Sequence, residues 1–184
     1  MPGVIRTRVG YAGGTTQNPT YHNLADHSET IQMDFDPVKL SYQDLLDVFW
    51  QSQSPPTYPP ISRQYMSIIF YHDETQQRLA EESLKKQEQK LGKQLYVEIL
   101  PDDTFHLAED YHQKYRLRST KLIKDEFLTV YGEQGFVNST AAARINGYLG
   151  GYGTRQQYQR EAGSFGLSDA ARKELDRLVA MWVK

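Results

Sequence analysis

His22, Asp26, His27 and Glu29 lie within eight consecutive residues and are of the types that ligate a metal or carry a proton. They fall in a loop that follows Asn18-Pro19, where Asx turns and caps account for such residues equally well, so no metal is expected. Glu109-x-x-His112 has the spacing of half a di-iron site on a helix, but that chemistry needs a second copy and two further carboxylates, which the sequence does not supply. No phosphate-cradling loop, Ser-His-Asp order or GxGxxG is present, and no cofactor is expected. The chain contains no cysteine, which removes a thiol nucleophile, a thiolate zinc site and a disulfide framework. By itself Glu29, at the start of a strand, reads as a solvated charge. Tyr21, Tyr65 and Tyr115 are three of 13 tyrosines, a residue that mostly packs with its hydroxyl at the rim.

The elements that must position these residues follow an α+β pattern. Val4 to Tyr11 is rich in β-branched residues and closes on Gly13-Gly14, a strand ending in a turn. Glu29 to Phe35 alternates Ile31, Met33 and Phe35 with polar residues, the period of a half-buried strand. Ser41, with Asp44 three residues on, opens a helix that ends near Gln51. Gln53 to Pro60 carries four prolines in SPPTYPP, which can neither donate to a sheet ladder nor continue a helix, so it must be an extended loop. Met66 to Tyr71 is a short apolar strand, Glu74 to Leu91 a charged helix stopped by Gly92, and Leu95 to Leu100 a fourth strand. The centre of that helix, EESLKKQEQK, reads as a solvated face. Beyond Pro101 only helices are expected: roughly Ala108 to Tyr115, Lys121 to Tyr131, Thr140 to Leu149 and Ser168 to Val183, with GYLGGYG as a stop between the last two.

Length and charge set the outer limits. A chain of 184 residues supports one core that buries about 70% of its unfolded surface. A formal charge of -2 with both signs interspersed provides no field for nucleic acid or anionic lipid. No apolar run approaches the ~20 residues that span a bilayer, and Met1-Pro2-Gly3 opens into folded-looking sequence without a signal peptide. A soluble, cytoplasmic protein is expected, with no nucleic-acid or membrane partner.

Three segments in order resemble the peptide methionine sulfoxide reductase A family: VGYAGG with NPTY and HSE, then Asp36-Pro37 with SYQDLLDVFW and QYMSIIFY, then AEDYHQKY. They span residues 3 to about 115. The resemblance implies a ferredoxin-like α+β core, here a mixed four-stranded sheet with flanking helices over residues 1–118, followed by a helical C-terminal extension over 119–184. It implies methionine sulfoxide, free or in an oxidised peptide or protein, as the ligand. Glu29 matches the family's acid, which burial is expected to hold protonated so that it can donate to the sulfoxide oxygen. Tyr21 of NPTY and Tyr65 of QYMS match two tyrosines whose hydroxyls point at that oxygen, and phenols donate there without bringing charge. Tyr115 of HQKY matches a further tyrosine near the site.

The departures bear on activity. The family's reactive cysteine sits in a Gly-Cys-Phe-Trp turn, followed by a helix and only then by the segment that is here Pro2-Gly3-Val4. The nucleophile, the Phe and Trp of the methyl pocket, and one strand and one helix therefore have no counterpart, and their absence should expose apolar surface. Between Tyr21 and Glu29 only seven residues intervene, where the family usually carries a longer loop. The family's acidic residue has no equivalent near Pro59-Pro60, and RLRSTKLIKDEF replaces a tail that often holds the resolving cysteines. These features lead to an expected family protein with a retained methionine-sulfoxide-type pocket and no thiol, catalytically inactive as it stands. Two alternatives are an active peptide-methionine (S)-S-oxide reductase whose cysteine-bearing segment lies upstream, and a non-catalytic interaction module that uses the C-terminal helices.

Overall fold

The computed structural model describes residues 1–102 and 104–182. Ser41 starts α1 (Tyr42–Ser52) with a reciprocal capping box. Its hydroxyl accepts the Asp44 N–H at 3.2 Å and the Asp44 carboxylate accepts the Ser41 N–H at 2.9 Å, which satisfies two donors that the first helical turn leaves orphaned. Asp73 caps α2 (Glu74–Leu91) with a single bond, accepting the Gln76 N–H at 2.8 Å, and Gly92 ends that helix at φ +64°. Only Ala80 and Ser83 of α2 are buried, Leu79 packs beside them half-buried, and the charged residues occupy the solvated face.

β3 (Ser67–Tyr71) and β4 (Val97–Pro101) pair in parallel, with Ser67 opposite Val97 and Tyr71 opposite Pro101, and α2 is the crossover between them. Leu46, Ile69 and Ala80 form the small core of this part, with Phe49, Trp50, Val97 and Ile99 packed around it. The Trp50 indole N–H donates to the Ser83 hydroxyl at 3.1 Å, so the ring is held by its polar edge as well as by packing. No helix or strand forms from 53 to 62, as the four prolines dictate.

The other sheet has the order β2 (Ser28–Phe35), β1 (Val4–Ala12), β5 (His106–Leu107). β5 runs antiparallel to β1, with Gly10 opposite Leu107 and Tyr11 opposite His106. A Cβ on Gly10 would lie 2.3 Å from the His106 carbonyl oxygen, so only glycine permits this approach. The fold class is α+β as expected. The four expected strands divide between two sheets rather than forming one, and β5, at two residues, is too short to carry a readable period.

The chain forms two compact units, one of Met1–Val9, Ile31–Asp36 and the residues from Glu109 onward, the other of Gly10–Thr30 and Pro37–Ala108. The first is dominated by α3 (Tyr115–Arg118), α4 (Lys121–Asn138), α5 (Thr140–Leu149), α6 (Arg155–Glu161) and α7 (Asp169–Trp182). Leu117, Ile123, Phe127, Phe136, Ile145 and Leu175 are among the buried residues of its core. Within that core the Tyr148 hydroxyl donates to Glu161 at 2.8 Å and the Tyr158 hydroxyl to Asp176 at 2.5 Å.

Three helix expectations change. Residues 108–115 do not form a helix; a 3-10 turn, Asp110–His112, stands there instead. Its cause is the next pair of residues: the buried Gln113 amide pairs with the backbone N–H and C=O of Val9 at 3.1 and 2.8 Å, and Lys114 turns the chain at φ +52°. The Glu109-x-x-His112 spacing consequently lies on no helical face. α4 runs past Tyr131 to Asn138 by kinking at Gly132, φ +64°. α6 was not expected; Thr154 caps it by accepting the Gln157 N–H at 3.1 Å, a signal hidden behind the glycine-rich joint. The final helix was expected to reach Val183, which lies outside the described residues. Among the described residues no helix is long and apolar enough to cross a membrane.

Candidate functional site

The turn that closes β1 is tied to the segment that carries Tyr65. Gly13 holds φ +78°, and a Cβ there would stand 2.9 Å from the Phe70 ring, so both the conformation and the space demand glycine. The Gly13 carbonyl accepts from the Arg63 guanidinium at 3.3 Å, and a second guanidinium nitrogen of Arg63 pairs with Glu98 on β4 at 2.5 Å. Arg63 begins a 3-10 turn, Arg63–Tyr65. One side chain thus fastens this turn both to the glycine turn and to the parallel strand pair.

The first residues of β2 fasten the same turn from its other side. The Ser28 hydroxyl, on a buried residue, donates to the Arg63 carbonyl at 2.6 Å, and the Gln64 amide donates to the Glu29 carboxylate at 2.9 Å. Glu29 and Tyr65, 36 positions apart in sequence, are therefore seated on two segments joined by adjacent hydrogen bonds. Tyr65 itself is 68% exposed, with its backbone bonded to the Ser62 carbonyl at 3.3 Å. Glu29 is also exposed. The burial expected to keep the acid protonated is not provided by the described residues, because Glu29, the second residue of β2, is exposed and its neighbour Ser28 takes the buried position.

Tyr21 is 39% exposed and sits in the short turn bridged by Thr20 and Asn23. Its ring meets that of His22 edge-on at 5.4 Å. The loop is built by Asp26, whose carboxylate accepts the Thr15 N–H at 2.7 Å, the Thr15 hydroxyl at 2.8 Å and the Thr16 N–H at 3.2 Å. These bonds, the Thr15 amide foremost, hold the Asp26 carboxyl well below the usual carboxylate range. His27 is 1% exposed, donates from Nε2 to the Thr16 carbonyl at 2.8 Å and packs edge-on against His106 at 5.1 Å. Asp26 and His27 thus shape the loop, and among the described residues no group of three or more His, Cys, Asp or Glu is arranged to hold a metal.

Tyr115 belongs to the other compact unit, where it begins α3 and is 64% exposed. Its position follows from the two buried residues before it. Gln113 pairs with the Val9 backbone, and the Lys114 ammonium donates to the carbonyls of Thr7 and, at 2.9 Å, Val137. Burial first, and the nearby Arg8 charge second, push the Lys114 ammonium down to about 8. HQKY is therefore a docking device for β1 as well as the carrier of a tyrosine.

Sequence reasoning did not single out Ser28, Arg63, Gln64 or Glu98. Arg63 and Gln64 stood next to Tyr65, and Ser28 next to Glu29, so adjacency was the available signal; the partner Glu98 needed the β3–β4 pairing to appear.

The pattern of the family described as "Peptide methionine sulfoxide reductase" matches residues 1–145. A "Peptide methionine sulfoxide reductase" of Drosophila melanogaster is 40% identical over 172 residues, which cover 93% of this chain and 69% of that protein. "Peptide methionine sulfoxide reductase A5" of Oryza sativa is 38% identical over 153 residues, 80% of this chain and 60% of its own. Both similarities run past Arg118 into the helical part. Among solved structures, "Methionine sulfoxide reductase A of Corynebacterium diphtheriae" superposes with a TM-score of 0.58 at 29% identity, covering 66% of each chain. The reduced form of Mxr1 from Saccharomyces cerevisiae, at 21% identity and a TM-score of 0.57 over 65% of this chain and 74% of that one, shares the fold.

Proposed function

This chain belongs to the peptide methionine sulfoxide reductase family, and we propose that its share of that chemistry is recognition of a methionine sulfoxide group by Glu29, Tyr65 and Tyr21 rather than reduction of it. The observation that carries the reading is the pair of hydrogen bonds, Ser28 to Arg63 and Gln64 to Glu29, that seats the acid beside the turn bearing Tyr65. A sulfoxide oxygen is a strong acceptor, and two phenols and a carboxylic acid are donors suited to it. A carboxyl donates only when neutral, and covering an exposed carboxyl with the ligand's methyl and methylene groups favours the neutral form. Reduction has a further requirement. A soft nucleophile must take the oxygen and become a sulfenic acid, and these 184 residues contain no cysteine to do so.

A second reading is favoured by two observations. The chain spans only 69% and 60% of the two relatives first described, and apolar side chains of the β2-β1-β5 sheet stand exposed, Ile5 at 46% and Ile31 at 55%. In that reading the same residues bind substrate for a thiol carried elsewhere in a longer polypeptide.

Titration of the chain with N-acetyl methionine sulfoxide amide, followed by NMR, tests the first reading. Shifts are expected at Tyr65, Glu29 and Tyr21, with affinity lost in Glu29→Ala and in Tyr65→Phe; a flat response at millimolar ligand overturns it. Turnover with dithiothreitol by these 184 residues alone would overturn the claim that they bind without reducing.

A further inference from the structure

The proline loop is not used by the site just described, yet it combines a readable motif with unusual exposure. Pro55-Pro56-Thr57-Tyr58 places two prolines and a tyrosine at the spacing Pro-Pro-x-Tyr, and a further Pro59-Pro60 follows. Tyr58 is 79% exposed, Pro55, Pro59 and Pro60 are exposed, and Ile61 beyond them is fully exposed. An aromatic ring and a run of prolines left this open on a surface is a ligand-like feature rather than a packing one. We propose that Ser54–Pro60 is a docking segment for a small domain of the WW type, whose groove is walled by aromatic rings and takes proline-rich backbone together with a tyrosine side chain.

Three observations support this partner. The chain from Gln51 to Ser62 carries no charged residue, which suits a neutral aromatic groove and offers nothing to a groove that reads acidic or basic peptides. Prolines restrict the loop before binding, so less conformational freedom is lost on docking. The loop is held at two points: the Pro56 carbonyl, within the motif itself, accepts the Tyr96 N–H at 2.7 Å, and just before it the Ser67 hydroxyl donates to the Gln53 side chain at 2.9 Å. Tyr58, Pro59 and Pro60 therefore extend from a tethered start.

Pro56-x-x-Pro59 is also a PxxP sequence, but readers of PxxP commonly add a contact to a flanking basic residue. The nearest basic residue that follows is Arg63, and it is engaged by Glu98 at 2.5 Å and by the Gly13 carbonyl. Recognition through Tyr58 is favoured on that ground. The Thr57 N–H bonds the Pro55 carbonyl at 2.9 Å, which bends the backbone at Pro56. Docking of both prolines straightens this bend, and the affinity difference between the intact chain and a free peptide measures what that costs.

The experiment titrates the intact chain into an isotope-labelled WW domain that binds Pro-Pro-x-Tyr peptides, with a synthetic peptide of residues 51–62 alongside. Saturable shifts in the groove are expected from both. Tyr58→Ala and Pro55→Ala should each weaken binding by about tenfold or more, as a central anchor does, while leaving the unfolding midpoint unchanged, since both side chains are exposed. Failure of the intact chain to bind while the peptide binds overturns the proposal, because the loop is then withheld by its backbone bonds. Undiminished binding by Tyr58→Ala overturns it too, as does exclusive capture of the chain by an SH3 domain.

Discussion

Lys114 offers the sharpest test of the packing described above. Its side chain is 5% exposed, its ammonium is spent on two backbone carbonyls, and burial with the Arg8 charge pushes it from 10.5 down to about 8. Above pH 10.5 the amine is neutral in the folded and unfolded states alike. Between about 8 and 10.5 the unfolded chain binds the proton and the folded chain does not, so stability rises with pH across that window. Below about 8 both states are charged, and the folded state carries the full cost of a buried charge. At about 1.4 kcal/mol per pH unit the difference amounts to about 3 kcal/mol. The measurement is the unfolding free energy from urea titrations at steps from pH 7 to 11, for the parent chain and Lys114→Met. The offset between the two at any one pH mixes the lost hydrogen bonds with the relieved desolvation, whereas the slope isolates the titration. The parent should gain about 3 kcal/mol on the variant between pH 8 and 10.5. Tyr148 and Tyr158, raised by burial and by their carboxylate partners, are common to both chains and cancel. Curves that stay parallel within about 1 kcal/mol would refute the buried, two-carbonyl placement of Lys114.

Two further perturbations address the site and the turn that closes β1. Gly13→Ala meets both a left-handed φ and the Phe70 ring at 2.9 Å, whereas Gly92→Ala, at φ +64°, meets nothing within 4 Å. Denaturant unfolding should therefore show a loss of about 2–4 kcal/mol for the first and about 1 kcal/mol for the second, and equal losses would contradict the close approach of Phe70. Gln64→Leu removes the donor to Glu29 but no buried contact, so the sulfoxide titration should weaken several-fold while the thermal midpoint stays put; unchanged affinity would separate the Gln64 contact from recognition.

Much of the fold was legible because the local signals were strong and independent. Ser41 with Asp44 named the start of α1, Gly92 the end of α2, and the alternation of Ile31, Met33 and Phe35 named β2; each is a feature of a few adjacent residues. What was not legible depends on partners distant in sequence. The supposed helix before Tyr115 fails because Gln113 completes the hydrogen bonding of Val9, 104 positions away, and no periodicity records such a bond. The division into two sheets has the same origin, since period-2 alternation marks a strand without naming its neighbour. The site divides in the same way. Glu29, Tyr21 and Tyr65 are candidates through their motifs, but Ser28, Arg63 and Gln64, which join the Glu29 and Tyr65 segments, act through contacts that a linear reading does not contain.

That division bears on what the site can do. A motif preserves residue types, whereas the chemistry of an acid depends on its surroundings, and here they differ from the expectation: Glu29 is exposed and tethered by an amide donor. The described residues leave the Glu29 carboxyl uncovered, so on the proposed reading the ligand supplies the cover. A carboxyl covered only by its ligand suits a binding step. The same condition would serve a reductase in which the surface covering Glu29 and the thiol arrive together, on one segment of a longer chain. The two readings thus part on whether Glu29 contributes to sulfoxide affinity in these 184 residues alone, which Glu29→Ala measures without any assay of turnover.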